Sequence, residues 1–190
     1  AIVGAGGIGF DTAEYLVHTP LLDPRAFELP PLHSSLEQGS PSLDTERWMA
    51  EWGVDPTFSG PGGLRKPSPE PPTREVWLLQ RSPGKPGAKL GKTTGWIHRT
   101  ALKAKHVKML GGVEYLGFDD SGLRIRVDGR EQLLPVDHVV VCAGQEPRRE
   151  LADALQATGV TAHLIGGADL AAELDAKRAI AQGSQLAAGF

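Results

Sequence analysis

The residues best placed to do chemistry are glycines. Gly4-Ala5-Gly6-Gly7-Ile8-Gly9 has the spacing Gly-x-Gly-x-x-Gly, follows the apolar stub Ala1-Ile2-Val3, and opens a helical run reaching about His18. In that context each glycine has a task. Gly4 permits the tight turn, Gly6 lets the backbone approach a pyrophosphate, and Gly9 lets the helix pack closely on the strand, with Gly7 and Ile8 completing the turn. The unpaired N–H groups of the new helix and its positive dipole end then attract phosphate. An acid about 20 residues further on would accept the ribose hydroxyls of NAD. That distance falls in a proline-rich stretch instead. The next credible strand, Val76–Arg81, leads to Ser82. A guanidinium at this strand end suits a 2′-phosphate, which it binds bidentately and an acid would repel. Arg81, with the Ser82 hydroxyl and Lys85 or Lys89 nearby, therefore points to NADP(H) rather than NAD. The alternative is a solvated arginine at a strand end.

Three further segments invite a chemical reading. Gly91-Lys92-Thr93 ends like a P-loop, but the required upstream glycine is replaced by Pro86, which also removes an N–H donor. ATP or GTP hydrolysis is rejected on that ground. Val139-Val140-Val141-Cys142-Ala143-Gly144-Gln145-Glu146-Pro147 places a small-residue turn after an apolar strand, where open α/β sheets bind ligands. Cys142, within the apolar run, reads as a packed thiol rather than a nucleophile. Gly166-Gly167-Ala168-Asp169 precedes the last helix and offers a second pyrophosphate site. Asp169 either accepts from sugar hydroxyls or caps the helix.

The elements that must position these residues follow an α/β pattern, giving the fold class α/β: a Rossmann-like dinucleotide-binding domain with a β-meander. After the stub and first helix, a strand covers Val76–Arg81 and a helix runs from about Thr94 to Lys105. Val107–Leu110 is strand-like, and Glu114–Asp119 and Leu123–Asp128 alternate around a hairpin signal. Val136–Cys142 reads as a strand buried on both faces, Ala162–Ile165 as a short strand, and about Leu170–Ala187 as a helix. Eleven of the 15 prolines lie between Pro20 and Pro72, marking a long insertion. Its ordered candidate is a helix over Thr45–Trp52, with Asp44 as N-cap and Gly53 beyond the end. Trp48, Met49 and Trp52 share a face there and are expected to pack on the core.

Composition narrows the classes. The chain has 190 residues, a formal net charge of −3 and 40% hydrophobic residues. That leaves a real core and no electrostatic footprint for nucleic acid or an anionic membrane. No apolar run approaches a membrane span and no signal pattern opens the chain. One cysteine and six histidines without ligand spacing indicate no metal site, and a cytoplasmic setting is expected. Ala1–Val3 reads as the tail of a longer strand, so the chain is expected to be a piece of a larger polypeptide.

Several runs together resemble the C-terminal part of the bacterial NADPH-dependent 2,4-dienoyl-CoA reductases. They are Gly4 to Asp11, Leu79-Gln80-Arg81, Leu90-Gly91-Lys92-Thr93-Thr94-Gly95-Trp96-Ile97-His98-Arg99, Cys142 to Pro147, and Leu174 to Gly183. The resemblance implies residues 1–143 as an NADPH-binding domain with a proline-rich insertion at 19–73. It implies 144–190 as the closing strand–helix segment of a truncated FAD domain, with only a partial FAD site. FMN and an iron–sulfur cluster are expected only in a barrel upstream, so the partners are nucleotide cofactors and the rest of the same polypeptide. In that family hydride passes from NADPH to FAD, and electrons then reach the dienoyl-CoA of fatty-acid β-oxidation. Carried over by position, the Gly4–Gly9 turn and Arg81 bind NADPH, and Gly144 marks the return to the FAD domain. Gly167, Asp169, Ala172, Glu173 and Leu174 approach FAD, the last three at a helix start. Trp96 joins the cofactor-side residues, facing barrel or substrate, against packing on its own helix. The family can carry a second cation directly after the arginine, where this chain has Ser82. No catalytic acid or base is expected in the chain. The alternatives are a related barrel–flavin oxidoreductase, similar to trimethylamine dehydrogenase or an enoate reductase, and a non-catalytic structural domain.

Overall fold

A computed structural model of the chain describes residues 1–18, 44–172 and 176–189. Backbone contacts divide the chain into two compact units, Ala1–Cys142 and Ala143–Phe190.

The first unit is three layers. Four short strands, β1 (Ile2–Val3), β2 (Trp77–Leu79), β3 (Lys108–Leu110) and β7 (Val140–Val141), form a parallel sheet in the order β3-β2-β1-β7. Parallel neighbours need crossovers. Helix α1 (Gly7–Val17) follows β1, and α3 (Gly95–Ala104) joins β2 to β3. An antiparallel meander of β4 (Glu114–Asp119), β5 (Gly122–Val127) and β6 (Arg130–Leu134) covers the other face.

Strand periodicity decides which layer each residue joins. Leu78 turns to the helices, where it is buried with Ile2, Phe10, Ala13, Val17 and Leu102. Leu79 turns the other way, into a second core with Val113, Leu123, Ile125 and Leu134. In α1 the buried positions Phe10, Ala13 and Val17 lie three and four apart, one stripe of a helix.

The helix over Thr45–Trp52, here α2, has the boundaries its caps dictate. The Arg47 N–H donates to Asp44 Oδ1 at 3.0 Å, and Gly53 takes φ 73°. Its aromatic face departs from expectation. No residue of α2 is buried, Trp48 is 52% exposed, and the two tryptophan rings pack on each other at 6.4 Å. The helix is held instead by polar ties: Lys105 Nζ sits 3.0 Å from Glu51 Oε1, and the Ser68 N–H donates to the Ala50 carbonyl.

Beyond α2 the buried Asp55 organises a turn. Its carboxylate accepts from the backbone N–H groups of Thr57, Ser59 and Gly60 and from both hydroxyls. The Ser59 and Thr57 hydroxyls hold this carboxyl well below the usual carboxylate range near 4. A depressed folded-state pKa contributes stability above the unfolded value that is lost as pH falls through the folded one. Asp55→Asn is therefore expected to melt below wild type at pH 7 by a margin that holds down to about pH 4 and narrows below it. Thermal melts from pH 7 to pH 2 check this, and a margin that widens in acid would be the contrary result.

Two strand expectations need correction, and one strand goes beyond them. Val136–Cys142 is not a strand buried on both faces: among the described residues only Val140–Val141 pairs, with β1, and no layer covers Val141, which is 73% exposed. Val136 and Val139 still pack on the second core and Cys142 on the first. Residues 162–165 form no strand, having no ladder partner. β6 had no range assigned, although Asp128-Gly129 before it is a two-residue hairpin signal. Their φ values of 50° and 75° are those of a type I′ turn.

The second unit holds α4 (Glu150–Ala157), a 3₁₀ turn at Gly166–Ala168 and α5 (Ala176–Ala187). No sequence expectation covers α4, whose eight residues bury none.

Candidate functional site

The glycine turn lies where β1 meets α1. Gly4 has φ 112°, which favours glycine, and its N–H donates to the Leu79 carbonyl at 2.8 Å, tying the turn to the end of β2. Gly6 is the N-cap of α1 with no side-chain cap, and no acid lies in the first turn. The opening N–H groups thus have neither an intrahelical partner nor a capping side chain. A Cβ on Gly6 or Gly7 would meet nothing within 4 Å, and Ile8 is exposed, so among the described residues the space over the turn is open. A Cβ on Gly9 would stand 1.8 Å from the Gly4 carbonyl oxygen. Donors, a positive helix end, open space and no competing carboxylate together fit a pyrophosphate.

Arg81 and Ser82 follow β2, next to this turn, because Val3 of β1 is in register with Leu79. Both are exposed, and Arg81 makes no hydrogen bond or ion pair among the described residues. The backbone beneath them is braced. Gln80 Nε2 donates to the carbonyls of Ser82 at 3.0 Å and Gly84 at 3.3 Å, while the Gly112 and Val113 N–H groups donate to the Ser82 and Gln80 carbonyls. Gly111 approaches so closely that a Cβ would lie 2.0 Å from the Gly84 oxygen. The sequence reading missed this role of Gln80, although the residue stands in the Leu79-Gln80-Arg81 run.

Tyr115, two residues beyond Val113, was also missed, and no sequence signal marks it. Its ring packs on the second core and its hydroxyl is shielded without a hydrogen-bond partner. Burial pushes the phenol pKa up, and the Arg81 guanidinium pulls against that.

The distinctive run before α3 is packed locally. Gly87 (φ 74°) lies against the Phe10 ring, Gly95 lies against Leu90, and Arg99 donates to the Gly87 carbonyl at 2.8 Å. Trp96, on the first turn of α3, is 56% exposed. Lys85 and Lys89 are exposed.

In the second unit, Gly144 is exposed with φ 139°. The Gly166–Asp169 turn is pinned to α5 by Gln182, which accepts from the Gly166 N–H at 2.7 Å and donates to Asp169 Oδ2 at 2.8 Å. Arg149 donates to the carbonyls of Ala168 and Asp169. Asp169 therefore does not cap the last helix: Leu170, Ala171 and Ala172 are not helical, and the described helix is Ala176–Ala187. Its carboxylate anchors the turn to Gln182. Gly167 lies in the 3₁₀ turn, and Ala172 stands in a bend. Glu173 and Leu174 lie outside the described residues. The structure brings Gly4, Gly6, Gly7, Ile8, Gly9, Arg81 and Ser82 together at the C-terminal ends of β1 and β2; Gly144, Gly167, Asp169 and Ala172 belong to the second unit.

The strand order, crossover helices and glycine turn define a Rossmann-like α/β domain. No family model matches the chain. It is 24% identical over 167 residues to a metal reductase of Desulforamulus reducens, covering 88% of this chain and 21% of that protein. Among solved structures it is similar to a 2-naphthoyl-CoA reductase in complex with 2-naphthoyl-CoA, at TM-score 0.51 and 21% identity over 60% of this chain and 17% of the other. A bacillithiol disulfide reductase from Bacillus cereus overlaps over 42% of this chain and 24% of its own, at TM-score 0.35 and 16% identity. The chain thus spans about a fifth of the curated relative it matches. The curated relative and the naphthoyl-CoA structure carry reductase names, and neither is a dienoyl-CoA reductase. Among the described residues, no helix is long and apolar enough to cross a membrane.

Proposed function

We propose that this chain is the NADPH-binding module of a flavin-dependent reductase, passing hydride from NADPH to FAD for reduction of a 2,4-dienoyl-CoA in the full-length enzyme. The observation that carries the reading is that, among the described residues, the start of α1 is uncapped and open and the arginine at the end of β2 beside it has no hydrogen bond or ion pair. NADPH supplies the hydride and FAD accepts it; the protein binds and orients them. The Gly6, Gly7 and Ile8 backbone donates to the pyrophosphate, and Arg81 and Ser82 hold the 2′-phosphate. Gly144, Gly167, Asp169 and Ala172, with Glu173 and Leu174, contribute a partial FAD site, and Trp96 lies on the cofactor side. The FMN barrel, iron–sulfur cluster and remaining FAD domain belong to the rest of the polypeptide.

Titration with NADPH and NADH tests this reading. Wild type is expected to prefer NADPH. Arg81→Ala should weaken NADPH by about 2 kcal/mol, roughly thirtyfold in Kd, the worth of charge-assisted phosphate bonds. NADH binding should be unmoved. Equal losses for both nucleotides remove the role given to Arg81. A melting temperature unchanged by millimolar NADPH removes the nucleotide reading and favours a structural domain, since a ligand bound only by the native state raises stability.

A further inference from the structure

Tyr115 offers a group that folding alone does not explain. Its ring fills part of the core between sheet and meander, a task that phenylalanine would perform equally. Its hydroxyl adds a shielded polar atom with no hydrogen-bond partner among the described residues. Buried polar atoms are nearly always paired, and an orphan is a cost that an apolar ring would avoid.

The backbone sets this hydroxyl at one particular place. Gly112 and Val113 are zipped to Ser82 and Gln80 by hydrogen bonds of 2.9 and 3.0 Å, so the start of β4 runs beside Arg81. The β4–β5 register then shifts between Tyr115 and Gly117, a bulge of the kind that re-aims a side chain. Arg81 is a cation within electrostatic reach of this hydroxyl, and it too has no hydrogen bond or ion pair among the described residues. A phenolic oxygen accepts as well as donates, whereas a guanidinium only donates. The two unpaired groups are therefore complementary. An arginine that must be ordered to grip a phosphate loses less freedom when an acceptor is already fixed beside it.

We propose that Tyr115 is a positioning residue for Arg81: its hydroxyl accepts a hydrogen bond from the guanidinium when that side chain engages a ribose 2′-phosphate, and so strengthens the preference for NADPH over NADH. The inference rests on the nucleotide reading above and adds a residue to it.

The test is Tyr115→Phe in the wild-type and Arg81→Ala backgrounds, with melting temperature and titrations of NADPH and NADH read on each. Tyr115→Phe removes one oxygen, so its melting temperature is expected to match or exceed that of wild type. NADPH Kd should rise about fivefold, the worth of one net hydrogen bond, while NADH Kd stays put. In the Arg81→Ala background the same change should have no further effect. An NADPH-to-NADH ratio left at the wild-type value by Tyr115→Phe overturns the proposal. So does an equal loss for both nucleotides, or a fivefold NADPH loss that persists without Arg81. The reading beneath it fails separately: a wild-type protein without NADPH preference, unchanged by Arg81→Ala alone, removes the 2′-phosphate site itself.

Discussion

Gly9→Ala is expected to lower the melting temperature by about 10 °C and to abolish saturable NADPH binding. The added methyl would stand 1.8 Å from the Gly4 carbonyl oxygen and 2.9 Å from its carbon, inside any tolerable contact. The obstacle is backbone, so no side chain can swing aside. Relief requires the Gly4 turn to move, and that turn is fastened to β2 through the 2.8 Å bond to the Leu79 carbonyl. Lifting α1 instead would withdraw Phe10, Ala13 and Val17 from the core. Overpacking of this severity costs about 3 kcal/mol, which is about 10 °C for a chain of this size. Gly7→Ala is the control. It meets nothing within 4 Å and replaces glycine by a better helix former, so its melting temperature should match or exceed wild type. A Gly9→Ala protein that melts with wild type would disprove the close packing of the helix on the turn.

Lys105→Ala should cost about 3 kcal/mol, the low end for breaking a buried pair because Glu51 keeps part of its contact with water. Lys105 is 4% exposed, sits at the C-cap of α3, and donates at 3.0 Å both to Glu51 of α2 and to the Glu70 carbonyl. A cation at a helix C-terminus is favourable in itself. Here it also fastens the proline-rich segment to the core, because α2 buries no side chain that could do so. Truncation leaves a carboxylate and a carbonyl without their donor. Amide exchange over residues 44–70 should accelerate along with the loss in melting temperature. NADPH titration of the folded variant should not change, because the glycine turn and Arg81 make no bond to Lys105. Unaltered exchange over 44–70 would refute Lys105 as the fastening.

Much of the first unit was legible in the sequence because its signals are local. The Gly4–Gly9 turn needs only neighbouring residues to specify strand, turn and helix. The limits of α2 follow from one capping carboxylate and one left-handed glycine. The errors fell where pairing decides. Val136–Cys142 is apolar enough for a central strand, but among the described residues β7 has only β1 beside it. The last helix was begun too early because the apolar residues after Asp169 continue the periodicity, whereas the chain there is pinned by Gln182 and Arg149.

The sequence by itself determined the class of turn, the helix that opens from it, and the arginine at the next strand end. Each follows from residue type and spacing within one supersecondary unit. Only the tertiary structure decided that Lys105 is buried against the proline-rich segment. It alone decided that Asp169 answers to Gln182, and that a tyrosine hydroxyl with no hydrogen-bond partner among the described residues lies within electrostatic reach of Arg81. Those relations join residues 13 to 54 positions apart through backbone and sheet pairings. No local periodicity encodes which side chains such pairings bring together.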